Sequence, residues 1–139
     1  MKFTEKPLLK NLSKTSVSIG KLGEDEAAKI LKKQGYTILE RNYTVRGGEI
    51  DIIARDGEYT CFVEVKLRKN NNYGTPAEMI TPTKKKRLIR AAQVYSVKKR
   101  ITDCPLRFDA VVINGEEING KLKIIQTEVI KNAFELQRF

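Results

Sequence analysis

Residues 48–66 read GEIDIIARDGEYTCFVEVK, in which two apolar runs are joined by Asp56 and Gly57. An Asp-Gly pair between two such runs is a strong short-range signal for a β-hairpin. With these two residues at the centre of the turn, the pairing across the strands is fixed, and it includes Arg55 with Glu58 and Glu49 with Glu64. The hairpin therefore predicts the middle of a β-sheet and decides which side chains share a face.

The predicted hairpin has one apolar face and one mixed face, because side chains alternate along each strand. The apolar face suits a buried core and carries Ile50, Ile52, Ala54, Cys61 and Val63. The mixed face carries Ile53 and Phe62 together with four charged residues, Glu49, Asp51, Glu64 and Lys66. Since Ile53 and Phe62 need cover, we expect a partly covered face with a charged patch at one end.

The charged patch has the residue types of a divalent-cation site. Asp51 and Glu64 are diagonal neighbours in this register, about 7–8 Å apart, so their carboxylates can converge on one ion. Glu49 opposite Glu64 is a like-charge contact that a cation or an added proton would relieve. Mg²⁺ suits such a group, since it takes oxygen ligands and is commonly held by one or two carboxylates plus a substrate phosphate.

Lys66 extends the patch toward phosphate chemistry. It lies two residues beyond Glu64 on the same face, about 6.6 Å along the strand. A metal ion there would polarise a phosphodiester and lower the pKa of a water, while the ammonium group would offset developing charge or position the nucleophile. The alternative is a solvated sheet face on which Glu49, Glu64 and Lys66 form salt bridges.

The composition favours a polyanionic partner. The 139 residues suffice for one compact domain with a single core. Lys and Arg number 27 against 17 Asp and Glu, which gives a formal net charge of +10. An excess of cations on a small surface attracts phosphate, so nucleic acid is the expected partner, with a merely soluble basic protein as the alternative.

The chain contains no histidine. This excludes Ser-His-Asp and Cys-His catalysis, histidine-based zinc sites and nucleases with a histidine base. Cys61 and Cys104 are too few for a zinc site made of thiolates, and we expect both to be buried in a reducing compartment. Since no apolar run is long enough for a signal peptide or a membrane span, we expect a cytoplasmic protein without membrane association.

Two helices are predicted around the hairpin. Residues 1–15 are a polar arm, and residues 16–139 form the single domain. Residues 18–34 have helical spacing, with Glu24 at the border of the apolar face, where an acid that stabilises the helix dipole is the bland interpretation. The second helix begins at Pro82, and its apolar stripe is Leu88, Ala91, Ala92 and Tyr95.

Further strands are predicted at residues 36–43, 106–113 and 121–130. Asn114-Gly115 is expected to be a turn, and residues 132–139 are expected to be a short helix or a tail. Arg107 and Asp109 share a strand face and are expected to form a structural ion pair. The alternation of helices and strands predicts a mixed α/β domain.

Asp51, followed across the hairpin by Glu64, Val65 and Lys66, resembles the core pattern of the restriction-endonuclease-like nucleases, which is an Asp and then an acid, any residue and Lys. A wider set of segments is similar to the small bacterial YraN family, related in fold to Holliday-junction resolvases: GEDEAAKILKKQGYTILERNY, GGEIDIIARDG, FVEVKLR, TPTKKKRLIRAAQVY and RFDAVVI. The resemblance spans residues 18–135.

This resemblance implies a central mixed β-sheet flanked by α-helices and a nuclease that hydrolyses nucleic-acid phosphodiesters with Mg²⁺ or Mn²⁺. DNA is favoured over RNA, and branched or single-stranded forms are candidate substrates. The resemblance assigns the metal to Asp51, Glu64 and the Val65 carbonyl, the catalytic lysine to Lys66, and an auxiliary role to Glu24. Glu49 is a further candidate acid because it belongs to the charged patch.

Eight residues are candidates for holding the nucleic acid. Five of them form a basic helical surface: Lys84, Lys85, Lys86, Arg87 and Arg90. Arg46 and Arg68 flank the acids. Gln93 lies at a helical position where some relatives of the resolvases have a glutamine. A solvated helix face is the alternative for the basic five. A homodimer is considered, because junction resolvases pair two active sites. The alternative function is an accessory protein of recombination or DNA uptake that binds nucleic acid without cutting it.

Overall fold

The computed structural model describes residues 16–69, 80–101, 103–119 and 121–135, and the predicted arm, residues 1–15, lies outside them. The helices are α1 (Ser16–Lys33) and α2 (Pro82–Lys98). The strands are β1 (Thr37–Val45), β2 (Gly48–Asp56), β3 (Tyr59–Arg68), β4 (Leu106–Ile118) and β5 (Lys121–Phe134). Both helices and the predicted strands are therefore confirmed as elements, with β4 and β5 longer than expected.

The five strands form one mixed sheet in the order β1-β2-β3-β4-β5. Neighbours are antiparallel except β3 and β4, which are parallel. A parallel pair needs a crossover connection, and α2 supplies it. The predicted α/β class is confirmed, and this mixed sheet with its two helices is consistent with a restriction-endonuclease-like fold.

Each face of the sheet has its own apolar core. On one side, Ala27, Ala28 and Leu31 of α1 pack with strand residues that include Ile52 and Val63. On the other side, α2 contributes the four residues predicted as its apolar stripe, Leu88, Ala91, Ala92 and Tyr95, which pack with Ile50, Ile53, Phe62 and Phe108. The mixed face of the hairpin is therefore covered by a helix, as Ile53 and Phe62 required.

The local sequence explains where α2 begins. The Thr81 hydroxyl accepts a hydrogen bond from the Lys84 backbone N–H at 3.1 Å, which is the usual N-cap contact. Pro82 then occupies the first helical position, where its missing N–H costs nothing. These two residues fix the first turn of the helix and therefore the start of its basic segment.

The predicted hairpin register is wrong by two residues. Arg55 lies opposite Thr60 instead of Glu58, and Asp56 lies opposite Tyr59, so Gly57 and Glu58 form the turn. Gly57 has a φ of +61°, a conformation that glycine adopts without strain. Because a shift of two keeps every side chain on its face, the predicted faces survive wherever the strands remain paired.

Two further predictions about β2 are corrected, and its pairing with β3 extends only as far as Ile52 opposite Val63. Glu49 does not lie opposite Glu64. Ile50, predicted to share a face with Ile52, packs instead in the core beneath α2. The two-residue shift in register by itself excludes the pairing of Glu49 with Glu64, whereas Ile50 changes face where β2 separates from β3 at Asp51.

Three other predictions are corrected. Asn114-Gly115 is not a turn but an irregularity inside β4, where a Cβ on Gly115 would lie 2.9 Å from the Lys123 carbonyl oxygen. Residues 132–134 continue β5 as strand rather than forming a helix. Cys61 is buried as expected, but Cys104 is exposed.

Candidate active site

Asp51 lies where β2 separates from β3. Its Oδ2 accepts a hydrogen bond from the Val65 backbone N–H at 2.9 Å, just beyond the end of the ladder. The carboxylate therefore takes the place of the main-chain acceptor that Val65 would otherwise find on β2. This contact holds the Asp51 side chain between the two strands and next to Glu64.

Glu64 is almost completely buried, with 5% of its surface exposed. Its Oε1 has no hydrogen-bond partner among the described residues. Burial, followed by the negative charge of Asp51, raises the pKa of Glu64 from 4.5 to about 8. A buried carboxylate oxygen without a partner is costly, so this position favours either a proton or a cation.

The Val65 backbone faces the gap where β2 separates from β3. Within a strand, the N–H and C=O of one residue point to the same neighbouring strand. Because the Val65 N–H points to Asp51, its carbonyl oxygen is also on the side of β3 that faces β2. The Val65 carbonyl and the Asp51 carboxylate therefore both lie between β2 and β3, beside Glu64 in the sequence of β3.

Lys66 and Glu24 are coupled to this pair through their charges. The charge of Lys66 acts to lower the pKa of Glu64. Glu24, on α1, has a raised pKa, first because it is partly buried and then because Asp51 is nearby, while Arg41 opposes the shift. Glu24 therefore lies within electrostatic range of Asp51, and Lys66 within electrostatic range of Glu64.

Glu49 has different partners from those expected. Its Oε2 accepts a hydrogen bond from Lys84 Nζ at 2.7 Å, and its Oε1 accepts a longer one from Arg87 at 3.4 Å. The hydrogen bond from Lys84 is the main reason that the pKa of Glu49 is lowered. The carboxylate is directed toward α2 and is paired with cations.

The contact between Glu49 and α2 depends on the glycine before it. A Cβ on Gly48 would lie 2.5 Å from the Arg87 carbonyl oxygen and 2.8 Å from the Ala91 backbone nitrogen. Only a glycine lets the helix approach the strand this closely. Gly48 therefore brings the first turns of α2, with Lys84 and Arg87, up to the acids.

Lys84 is the residue of this site whose position the sequence analysis missed. Its Nζ lies 2.7 Å from Glu49 and 3.8 Å from Glu64 Oε1. Burial lowers the pKa of Lys84, but the hydrogen bond to Glu49 and the nearby carboxylates outweigh it, so the net shift is upward. The sequence does indicate this position, because Lys84 precedes Leu88 by four residues and Ala91 by seven. It therefore lies on the same side of the helix as the apolar stripe, which faces the sheet.

The other candidate nucleic-acid contacts divide into two groups. Arg46, Lys86, Arg90 and Gln93 are exposed. Lys85 and Arg68 have protein contacts, since the Lys85 ammonium lies 5.3 Å from the centre of the Phe134 ring and Arg68 Nε donates to the Asn114 side chain at 2.8 Å. The basic helical surface is therefore not one continuous face: Lys84 and Arg87 turn toward the acids, and Lys86, Arg90 and Gln93 toward solvent.

The described residues contain no group of three or more acidic, cysteine or histidine side chains placed to hold a metal ion, so an ion bound here would have fewer than three carboxylate ligands. None of the described helices is long and apolar enough to cross a bilayer.

Comparison with known proteins identifies the family of the chain. The family model described as "Uncharacterised protein family UPF0102" matches residues 23–113. A UPF0102 protein of Hahella chejuensis is 48% identical over 105 residues, covering 76% of this chain and 85% of the relative. UPF0102 proteins of Clostridium kluyveri and Clostridium perfringens are 42% and 41% identical, covering 85% and 90% of this chain and 94% and 100% of their own lengths. The match confirms the expected resemblance to YraN-like proteins.

Proposed function

The chain belongs to the UPF0102 family, and we propose that it is a metal-dependent nuclease that hydrolyses nucleic-acid phosphodiesters, with DNA preferred to RNA. One observation carries the proposal: the buried Glu64 carboxylate, with an oxygen that lacks a hydrogen-bond partner in the described part of the chain, lies beside the Asp51 carboxylate. Two adjacent carboxylates repel each other unless a proton or a cation is bound, which supports a cation-binding site at this position.

The donor set fits a hard divalent cation. Asp51, Glu64 and the Val65 carbonyl supply oxygen atoms from two neighbouring strands. Mg²⁺ and Mn²⁺ both prefer oxygen ligands, and Mg²⁺ is commonly held by one or two carboxylates together with substrate phosphate. When bound, such an ion would polarise the scissile phosphate and lower the pKa of a nearby water.

The residues around the pair supply the remaining groups for hydrolysis. In the proposed reaction, a water oxygen attacks phosphorus and loses a proton to solvent, the bond to the leaving oxygen breaks, and that oxygen takes up a proton from solvent. Lys66 offsets the charge that develops on the phosphate and orients the water. Glu24, whose pKa is raised by partial burial and by Asp51, is an auxiliary acid on the opposite side of the sheet from α2.

Exposed cations beside the acids would hold the nucleic-acid backbone. Arg46 lies in the turn between β1 and β2, and Arg90 approaches the same turn, since its Cγ would lie 3.8 Å from a Cβ on Gly47. Lys86 and Gln93 are exposed on α2. With a net charge of +10, binding should weaken steeply as salt concentration rises, because each phosphate contact releases bound counterions.

The proposal is tested with a panel of labelled substrates: single-stranded, duplex, flap and four-way-junction DNA, and single-stranded RNA. Each is incubated with Mg²⁺, Mn²⁺ or EDTA. The proteins are wild type, Glu64→Gln and Lys66→Met, with Glu128→Gln as the matched control, since Glu128 is an exposed acid of β5. We expect cleavage that needs the metal, survives Glu128→Gln and falls by at least about 100-fold in the two site variants.

Cleavage that is equal in wild type and Glu64→Gln would come from a contaminant or another site, and would refute this assignment. Binding of junction or single-stranded DNA without cleavage under any metal condition would favour the accessory binding protein instead. In that case the salt dependence of binding, measured by fluorescence anisotropy, would still count the phosphate contacts.

A further inference from the structure

Lys84 is held in place at both its backbone and its side chain. Its backbone N–H donates to the N-cap residue Thr81 at 3.1 Å, and its ammonium group donates to Glu49 at 2.7 Å. Its side chain is 23% exposed, compared with 43% for that of Arg87 one turn along the helix. A lysine fixed in this way is part of the site rather than a freely moving surface charge.

The ammonium group supplies positive charge to Glu64 without making a hydrogen bond to it. The distance from Lys84 Nζ to Glu64 Oε1 is 3.8 Å, which is too long for a hydrogen bond. The same Glu64 oxygen lacks any hydrogen-bond partner among the described residues. Glu49 therefore holds Lys84 close to the buried acid but short of direct contact with it.

We propose that Lys84 is a resident counter-ion of the acid pair that opposes divalent-cation binding, and that Glu49 is the tether of Lys84 rather than a metal ligand. This inference rests on the proposed function, because it assumes that Asp51 and Glu64 bind a divalent cation. A fixed ammonium group beside that position repels a second cation. An incoming phosphate, which attracts Lys84 and Arg87, relieves the repulsion, so metal and nucleic acid bind cooperatively.

The test is a titration with MnCl₂ in the absence of nucleic acid, in which isothermal titration calorimetry measures the affinity for Mn²⁺. It compares wild type with Lys84→Met and with Lys98→Met, a matched control that removes the same charge from an exposed position at the end of α2. We expect Lys84→Met to bind Mn²⁺ about tenfold more tightly than wild type, because the repulsive charge a few ångströms away is gone. Lys98→Met should stay within about twofold of wild type, because solvent screens a distant exposed charge.

A double-mutant cycle of Glu49 and Lys84 shows whether Glu49 only holds Lys84 in place or is itself a ligand of the metal. In the wild-type background, Glu49→Gln frees Lys84 to pair directly with Glu64 and should weaken Mn²⁺ binding. In the Lys84→Met background there is nothing to tether, so Glu49→Gln should change the affinity by less than about threefold. If Glu49 were a ligand, its loss would weaken binding by tenfold or more in both backgrounds, and the tether would be refuted.

The remaining outcomes are also decisive. The counter-ion role would be refuted if Lys84→Met bound Mn²⁺ as tightly as wild type or more weakly while unfolding at a temperature close to that of wild type. The proposed nuclease function would not be affected by that result. No Mn²⁺ binding to wild type at millimolar concentration, together with no binding to Lys84→Met, would refute the metal site itself and with it the proposed function.

Discussion

The Asp51 carboxylate accepts a hydrogen bond from the backbone N–H of Val65 at 2.9 Å, so one side chain joins two strands at the point where their ladder ends. Val65 directly follows Glu64, and the same hydrogen bond therefore sets the position of one acid relative to the other. It also gives Asp51 two separable roles. The oxygen that accepts the hydrogen bond is structural, whereas the negative charge is the part that a cation would use.

These two roles are separated by comparing Asp51→Asn with Asp51→Ala. Asparagine keeps an oxygen acceptor for Val65 but loses the charge, whereas alanine loses both. We expect both variants to lose Mn²⁺ binding and cleavage. Alanine should be less stable than asparagine by about 1–3 kcal/mol, since the partly buried N–H loses its partner. Urea unfolding measures this difference, and equal stability of the two variants would contradict the structural role.

The raised pKa of Glu64 makes a prediction about pH. Burial and the neighbouring Asp51 charge raise the pKa of Glu64 to about 8 in the folded protein, compared with 4.5 for a glutamate in an unfolded chain. The folded state therefore holds the proton more tightly. The contribution of Glu64 to the free energy of unfolding is therefore complete below pH 4.5 and is lost as the pH rises toward 8. Glu64→Gln should match wild type near pH 5 and be more stable by at least about 1 kcal/mol near pH 8.5, both in EDTA.

The measurement is thermal unfolding of both proteins across this range of pH. A constant difference between wild type and Glu64→Gln at every pH would mean that Glu64 titrates normally. Under the proposed function Mg²⁺ would bind only the ionised carboxylate, so it should stabilise wild type more at pH 8.5 than at pH 5 and leave Glu64→Gln nearly unaffected.

Local patterns in the sequence predicted the elements and much of the packing. The four residues of the α2 stripe, for example, follow from helical periodicity alone and all four are buried. The hairpin between β2 and β3 was also predictable, but the Asp-Gly signal does not distinguish a turn centred on residues 56–57 from one centred on residues 57–58. The structure has the second, and the faces were preserved because the resulting shift is an even number of residues.

The part of the site that could not be predicted depends on contacts between distant segments. Glu49 and Lys84 are 35 residues apart in sequence and meet because Gly48 lets α2 approach β2. The separation of β2 from β3 at Asp51 is likewise a tertiary feature, and it turned Ile50 away from Ile52. Residue types and alternation therefore predicted that Asp51 and Glu64 lie close together, but the hydrogen-bond partners of Asp51 and Glu49 depend on the tertiary fold.

Replacing Gly48 with alanine should disturb the site through the backbone. The added Cβ would lie 2.5 Å from the Arg87 carbonyl oxygen, so α2 must move away from β2. We expect a loss of about 1–3 kcal/mol in the free energy of unfolding, measured in urea. We also expect weaker coupling between Glu49 and Lys84 in a double-mutant cycle.

Gly20→Ala is the matched control for Gly48→Ala. Gly20 lies inside α1, and a Cβ there would have no atom within 4 Å. Because alanine favours the helix, this variant should be more stable than wild type by about 0.5–1 kcal/mol. If Gly48→Ala were as stable as wild type, the helix would not depend on this close approach.

Arg107 should be the most important charged residue for stability outside the acid site. It donates to Asp109 at 2.8 Å and to Asp56 at 2.6 Å, which confirms the expected ion pair, and the Asp109 side chain is fully buried. Arg107→Met leaves that buried carboxylate without its cation and should cost about 3–5 kcal/mol. Lys131→Met is the control, because Lys131 pairs with the same Asp56 from a half-exposed position and its loss should cost less than about 1 kcal/mol. Urea unfolding measures the loss in the free energy of unfolding for both variants. Comparable losses would mean that the burial of Asp109 does not determine how much Arg107 stabilises the protein.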